Sequence, residues 1–285
     1  MKLVTYLSPG HIALPGVLDN GLVHGLQPAG FSGMIPVLQG GWGARSIIDS
    51  YLQSLPAGAG LPVEKVTLLA PIARPPKLIC VGLNYRDHAA ESNLEVPSTP
   101  TIFSKFSNTI TGPGAPIVLP RNSSKPDYEA ELAVVIGKGG RHVPKEYWHR
   151  HVYGYMCLND VSARDFQMAT SQWLLGKTFD TFAPTGPWIT TADEIPDPHA
   201  LGISLEIDGE VLQSSNTGEM IFRIPELIAY LSSVFTLEAG DIITTGTPAG
   251  VGAARKPPRW LKPGDEVVVK IDGLGELRNP VVAEK

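Results

Sequence analysis

Residues 127–138 read "DYEAELAVVIGK", an apolar run of strand-forming residues that begins with two closely spaced carboxylates. Alternate side chains of a strand point to the same side, so Glu129 and Glu131 are expected on one face. Two such carboxylates repel each other, and burying either without a partner is costly or raises its pKa. A metal ion, a Lys or Arg side chain, or bulk water at an exposed strand start would each relieve this repulsion.

The composition of the chain indicates an ordinary globular protein. It has 285 residues, 43% of them hydrophobic and 18% charged, which suits one large domain or a large and a small one. A net charge of −5 and the lack of basic runs argue against a nucleic-acid partner. The sequence shows no secretory signal and no apolar run of membrane-spanning length, so we expect no membrane partner. Cys80 and Cys157 lie in apolar runs and are predicted to be free thiols. Free thiols indicate a reducing compartment, which favours the cytoplasm.

The chain divides into a small N-terminal unit and a larger remainder. Residues 1–70 contain short strand-like runs and a probable helix in "ARSIIDSYLQSL", and "APIARPPKL" then forms a stiff, proline-rich connector. Residues 71–285 are mostly strand-like, with Asp-Gly hairpin signals in "EIDGE" and "KIDGLGE". Helices are predicted in "NYRDHAAESN", "ARDFQMATSQWLLG" and "IPELIAYLSSVF". Strands that do not alternate regularly with helices predict an α+β fold.

A third carboxylate, Asp160, ends the apolar run "VYGYMCLND". Two glutamates from one strand and an aspartate at the end of another can form an all-oxygen site, which suits hard cations such as Mg²⁺, Mn²⁺ or Ca²⁺. Three protein ligands leave positions open for water or substrate, as a catalytic metal requires. Asp160 is equally well explained as the cap of the next helix, and spacing alone leaves both interpretations open.

Two further features are chemically suggestive. His88 and Glu91 are three residues apart on a predicted helix, where a carboxylate beside an imidazole can prepare a general base. The alternative is an ordinary surface pair. Lys177 lies between the apolar runs "WLLG" and "TFDTFAPTGPW". It is either partly buried, where it could polarise a carbonyl or hold an enolate, or a snorkelling lysine with a solvated amine.

Five segments together resemble the fumarylacetoacetate hydrolase family. They are "VGLNYRDHAAES", "DYEAELAVVIGK", "YMCLNDVSARDFQ", "GKTFDTFAPTGPW" and "TTGTPAGVG", and they occur in family order over roughly residues 75–280. The first 70 residues resemble the small variable domain of many members. The resemblance implies a mixed β-roll with flanking helices, a small N-terminal α+β domain and a homodimer.

The resemblance also implies roles for individual residues. The metal ligands, for Mg²⁺ or Mn²⁺ with Ca²⁺ also acceptable, would be Glu129, Glu131 and Asp160. The catalytic residues would be a His88–Glu91 dyad on a mobile lid and Lys177, which would hold a substrate or enolate oxygen. Gln167 and Thr247 would contact substrate. Outside the resemblance, Arg86 and Lys105 are candidates for binding a second substrate carboxylate, or they are plain surface cations.

Several functions fit such a site, all of them on a small 2-oxo or 2,4-dioxo acid. We favour metal-dependent hydrolysis of a C–C bond in a 2,4-dioxo acid of the acylpyruvate or fumarylpyruvate type, through an enolate. The alternative is an oxaloacetate decarboxylase or a keto–enol tautomerase or isomerase that uses the same site. A non-catalytic relic and a regulatory metal-binding module are the weaker hypotheses.

Overall fold

The computed structural model describes residues 1–8 and 10–285, and its N-terminal part combines short strands with one long helix. These elements are β1 (Lys2–Leu7), β2 (Ala13–Asp19), β3 (Leu22–Gly25), α1 (Met34–Ser54), β4 (Leu61–Pro62) and β5 (Thr67–Leu69). Helix α1 includes most of the predicted helix but begins earlier. It is kinked at Gly41, whose φ of 50° is non-helical.

The larger part of the chain is dominated by strands, as the sequence predicts. Its first half contains β6 (Leu78–Gly82), α2 (Arg86–Glu91), β7 (Thr101–Ser104), β8 (Ile110–Thr111), β9 (Ile117–Leu119), β10 (Pro126–Asp127), β11 (Ala130–Ile136) and β12 (Val152–Asn159). Its second half contains β13 (Ser162–Ala163), α3 (Arg164–Gln167), α4 (Leu174–Lys177), β14 (Ala183–Thr191), β15 (Gly202–Ile207), β16 (Glu210–Asn216), α5 (Ile224–Val234), β17 (Ile242–Thr244), β18 (Glu266–Ile271) and β19 (Gly275–Ala283). This mixture confirms the α+β class.

Two mixed sheets form the framework. The larger has the order β4-β3-β2-β1-β14-β12-β11-β17-β6-β7, with β5 paired to β1 and β8 to β14. The smaller has the order β16-β15-β18-β19-β9, and β10 pairs with β13 on its own. Both predicted Asp-Gly hairpins are confirmed, because β15 pairs with β16 and β18 with β19 in antiparallel register.

Strand β11 lies near the middle of the larger sheet, and every one of its residues is buried. Leu132 and Val134 pack in one core with the smaller sheet and α5. Ala133 and Val135 point the other way and pack in a second core with α1. Because both faces of the strand are covered, its sequence is continuously apolar and does not alternate between apolar and polar residues. The two glutamates at its start therefore enter the interior of the protein.

The N-terminal unit joins the rest of the chain through main-chain pairing. Strand β1 is antiparallel to β14, with Lys2 opposite Thr190 and Leu3 opposite Ile189. The predicted division into residues 1–70 and 71–285 stays a prediction. Over the described residues, no helix has the length and apolar character needed to cross a membrane.

One predicted helix is wrong. Residues 163–176 form two short helices, α3 and α4, instead of one. Between them the Thr170 hydroxyl accepts a hydrogen bond from the Gln172 amide at 3.1 Å and donates one to the Gln172 carbonyl oxygen. Such local side-chain bonds compete with the helical pattern and end it. The interruption allows Gln167 and Lys177 to face a common cavity.

Candidate active site

Three buried carboxylates converge at the ends of β11 and β12. One oxygen from each of Glu129, Glu131 and Asp160 lies within 4.8 Å of the others. The register explains this, since Ala130 pairs with Asn159 and the Asp160 amide donates to the Glu129 carbonyl oxygen at 2.9 Å. Antiparallel pairing thus brings together groups that are distant in the sequence.

Cationic side chains also reach these carboxylates. Lys177 is buried, and its Nζ donates to Glu129 Oε2 at 2.7 Å and to Asp160 Oδ2 at 2.8 Å. Lys105 Nζ donates to the other oxygen of Asp160 and to the Val161 carbonyl oxygen at 2.9 Å. The carboxylate of Asp160 therefore binds side chains rather than capping α3, which follows Ala163. For Lys177, the structure selects the buried alternative.

The surroundings shift the pKa values of the two glutamates in opposite directions. Burial, together with the neighbouring carboxylates of Asp160 and Glu129, raises the pKa of Glu131 well above its usual value. Burial also opposes ionisation of Glu129, but the positive charges of Lys177 and Arg164 outweigh it and lower its pKa to about 2. Glu131 forms no ion pair with a Lys or Arg among the described residues, and its Oε2 accepts the Gly246 amide at 2.9 Å.

The predicted pair on α2 forms. His88 Nδ1 lies 3.2 Å from Glu91 Oε2, and Glu91 Oε1 accepts the Gly250 amide at 2.9 Å. In the tautomer in which Nδ1 donates to Glu91, Nε2 is left able to accept a proton. The two side chains are 16% and 24% exposed, so a molecule in the adjoining cavity can reach them.

One cavity of about 470 Å³ is lined both by Glu129 and Glu131 and by the pair on α2, while Asp160 is buried behind its wall. Gln167 and Thr247 belong to its wall, where Gln167 Oε1 accepts from Arg164 and Thr247 Oγ1 accepts from Gln213 at 2.8 Å. Apolar side chains complete the wall, among them Val81, Leu83, Leu94, Phe103, Trp173 and Val251. A larger open groove of about 750 Å³ has no carboxylate among its described lining residues, so its size does not make it the better candidate.

The two candidates for binding a second substrate carboxylate lie elsewhere. The guanidinium of Arg86 is exposed and donates to the Met220 carbonyl oxygen at 2.9 Å. Lys105 is buried behind Asp160. Neither belongs to the described wall of the 470 Å³ cavity. Their role in substrate binding stays a prediction that the geometry does not favour.

Arg164 is a residue of the site that was not predicted from the sequence. Its Nη2 lies 2.7 Å from Glu129 Oε1, its Nη1 donates to Gln167 Oε1 at 2.9 Å, and its Nε donates to Asp127 Oδ2 at 2.8 Å. The signal was present in the motif "ARDFQ", because Arg164 lies three residues before Gln167 on the same helix face. A glutamate that is buried in the core needs a neighbouring positive charge, and Arg164 was a candidate for it in the sequence.

The donor set fits a hard divalent cation. Three buried carboxylates supply oxygen ligands, and burial together with the neighbouring carboxylates of Asp160 and Glu129 raises the pKa of Glu131. Glu129, Glu131 and Asp160 would hold the ion. It would act as a Lewis acid on an oxygen atom of a molecule bound in the cavity.

Comparison with known proteins supports this description. The fumarylacetoacetate (FAA) hydrolase C-terminal family model matches residues 77–282. Oxaloacetate tautomerase Fahd2a, mitochondrial, of Rattus norvegicus is 48% identical over 290 residues, which are 99% of this chain and 92% of the relative. Two solved structures match over the full length of both chains. Maleylpyruvate hydrolase from Sphingobium sp. SYK-6, in complex with manganese (II) ion and pyruvate, is 32% identical with a TM-score of 0.85. A 5-carboxymethyl-2-hydroxymuconate delta-isomerase from Mycobacterium smegmatis is 34% identical with a TM-score of 0.79.

The family match covers more than half of the chain, and the rat relative aligns with nearly all of it. The five segments that suggested the family lie on the strands, helices and loops that build the cavity. The chain therefore belongs to the fumarylacetoacetate hydrolase family.

Proposed function

We propose that this protein is a metal-dependent enzyme that interconverts the keto and enol forms of oxaloacetate. The observation that carries the proposal is that two members of a buried three-carboxylate group, Glu129 and Glu131, line the same cavity as the His88–Glu91 pair. The rat relative, named an oxaloacetate tautomerase, supports this substrate and reaction. The comparisons thus favour the alternative prediction, an oxaloacetate decarboxylase or a keto–enol tautomerase or isomerase, over hydrolysis of a C–C bond.

The charges of the site suit an anionic substrate once a cation is bound. Four buried carboxylates, those of Glu129, Glu131, Asp160 and Asp127, face three cations, the buried Lys105 and Lys177 and the partly buried Arg164. A divalent ion would reverse the sign of this cluster and attract a dianion. When bound, Mg²⁺ or Mn²⁺ would polarise the 2-oxo group and so make the C3 protons more acidic.

With the metal ion bound, the side chains of the protein need to transfer only one proton. His88 Nε2 takes a proton from C3, and Glu91 stabilises the imidazolium through Nδ1. Lys177 Nζ and the Arg164 guanidinium hold the substrate carboxylate and the developing enolate oxygen. His88 then returns the proton to the oxygen on C2. One C–H bond is exchanged for one O–H bond, and no carbon–carbon bond breaks.

Hydrolysis of a 2,4-dioxo acid is the second candidate. The maleylpyruvate hydrolase with the same fold supports it, as does a cavity of about 470 Å³. In this reaction the same pair would take the proton from water, and hydroxide would attack the C4 carbonyl. The C3–C4 bond would break, giving a carboxylic acid and a pyruvate enolate that Lys177 stabilises. Decarboxylation of oxaloacetate would release CO₂ and leave the same enolate.

Three parallel assays distinguish these reactions. Chelator-treated protein would receive Mg²⁺ or Mn²⁺ and then oxaloacetate or an acylpyruvate. A tautomerase accelerates the loss of enol absorbance and the exchange of C3 hydrogen for deuterium in D₂O, without CO₂ release. Stoichiometric pyruvate from the acylpyruvate would favour hydrolysis, and CO₂ from oxaloacetate would favour decarboxylation. No metal-dependent exchange at C3 would refute the proposal.

A matched pair of variants ties the activity to the site. His88→Ala removes the proposed base, whereas His149→Ala removes an exposed histidine outside the cavity wall. Only the first should slow C3 exchange.

The homodimer and the compartment stay predictions. The rat relative's name assigns that protein to mitochondria, whereas we expected the cytoplasm.

A further inference from the structure

Asp127 is a buried carboxylate that the proposed reaction does not use. It is the first residue of the stretch that begins with the paired glutamates, and none of its surface is exposed. Its Oδ2 accepts from Arg164 Nε at 2.8 Å and from the Ala253 amide at 3.0 Å. Its Oδ1 accepts from the Tyr128 amide at 2.8 Å and the Gly252 amide at 2.7 Å. Four donors from three parts of the chain therefore converge on one side chain.

The contact with Asp127 leaves the guanidinium of Arg164 no freedom to rotate. Each of its three nitrogens has a separate partner: Nε contacts Asp127, Nη1 contacts Gln167 and Nη2 contacts Glu129. A planar guanidinium held at three corners has a defined orientation. Asp127 lies behind Arg164 and outside the described cavity wall, so it orients the two Nη groups toward that cavity without lining it.

The same carboxylate holds a loop of the cavity wall. Val251, Ala253 and Ala254 line the cavity, and the amides of Gly252 and Ala253 donate to Asp127. A Cβ at Gly252 would lie 2.0 Å from the Arg259 carbonyl oxygen and 2.5 Å from Asp127 Oδ1. Only glycine allows the loop to approach this closely. One buried charge thus fixes both a cationic side chain and the neighbouring wall.

We propose that Asp127 is a positioning residue, which holds Arg164 and the 251–254 loop in the geometry that binds the carboxylate of the substrate. The inference rests on the proposed function where it assigns Arg164 to the substrate. Its structural half, that Asp127 sets the orientation of Arg164, is independent of which oxo acid reacts.

A double-mutant cycle tests the inference. Oxaloacetate C3 exchange would be measured on the Mn²⁺-loaded wild type, Asp127→Asn, Arg164→Met and the double variant. Loss of a charged hydrogen bond should lower kcat/KM of Asp127→Asn about 10- to 100-fold, mainly through a higher KM. In the Arg164→Met background the same change should cost several-fold less, because Asp127 then has no arginine to orient and only its bonds to the 251–254 loop are weakened. Equal losses in both backgrounds would overturn the proposal.

Asp241→Asn is the matched control for burial. Asp241 is also fully buried, accepts from Lys77 Nζ at 3.1 Å and from the Glu238 amide at 2.8 Å, and lies outside the described cavity wall. This variant should be destabilised yet keep kcat/KM within about twofold of wild type. A loss of kcat/KM as large as that of Asp127→Asn would show a general effect of unpairing a buried charge, and would overturn the positioning role.

A second measurement needs neither turnover nor a stable Asp127 variant. In ¹⁵N-arginine-labelled protein, the Nε–H signal of Arg164, assigned by its absence in Arg164→Met, should exchange slowly with water. A fast signal typical of a free guanidinium would overturn the proposal. If the signal is protected but the wild type does not act on oxaloacetate, the placement by Asp127 stands and the proposed function fails.

Discussion

Removing the amine of Lys177 gives the sharpest test of the site's electrostatics. Lys177 is 2% exposed and donates to Glu129 at 2.7 Å and Asp160 at 2.8 Å. In Lys177→Met, two buried carboxylates lose their shared cation. Breaking a buried ion pair from one side costs about 3–5 kcal/mol. An unfolding entropy of about 2.1 cal/mol/K per residue over this chain converts that cost to a fall in Tm of about 5–8 °C.

A divalent cation should separate the structural role of Lys177 from its catalytic one. The carboxylates of the variant have one competing positive charge fewer, so Mn²⁺ should raise its Tm more than it raises that of the wild type. C3 exchange on oxaloacetate should stay strongly reduced, because Mn²⁺ does not replace the amine at the enolate oxygen. Calorimetric scans with chelator and with Mn²⁺, followed by the exchange assay, measure both effects.

Lys145→Met is the matched control, since Lys145 forms an exposed pair with Glu226 at 3.4 Å. Its Tm should change by no more than about 1 °C, as surface ion pairs contribute little. A Lys177→Met protein with the wild-type Tm in chelator, or with full activity in Mn²⁺, would refute the reasoning.

Three further predictions concern the metal ligands, the base and the loop beside them. Glu129→Ala should abolish Mg²⁺-dependent C3 exchange while the protein stays folded, since it removes a ligand, and circular dichroism checks the fold. His88→Ala should greatly slow exchange while Mn²⁺ and an oxalate-like inhibitor still bind, as titration calorimetry would measure. Gly250→Ala should lower Tm by more than Gly209→Ala. Both positions have positive φ, but only at Gly250 would a Cβ lie 2.2 Å from a carbonyl oxygen, that of Leu212.

Each of these has a clear contrary result. Retained activity with unchanged metal dependence in Glu129→Ala would remove Glu129 from the metal site. Normal turnover in His88→Ala would exclude His88 as the base. Equal Tm losses in the two glycine variants would mean that the backbone near Leu212 moves aside without cost.

Much of the correct prediction came from the local spacing of residues in the sequence. The period of two along a strand places Glu129 and Glu131 on one side, and the three-residue spacing on a helix joins His88 to Glu91. The Asp-Gly pairs predicted both hairpins because those residues adopt the required turn conformations. Local pattern misled at residues 163–176, where the hydroxyl of Thr170 interrupts a helical periodicity.

Local patterns could not predict contacts between residues that are far apart in the sequence. By itself the sequence determined the strand that carries the glutamates, the pair on α2 and, through resemblance, the family. Only the tertiary structure decided that Lys105 and Arg164 pair with carboxylates of the site and that Asp127 holds Arg164. The physical reason is that burial and pairing of charges depend on which strands become neighbours. Those contacts join residues as distant as Lys105 and Asp160, and no local spacing records them.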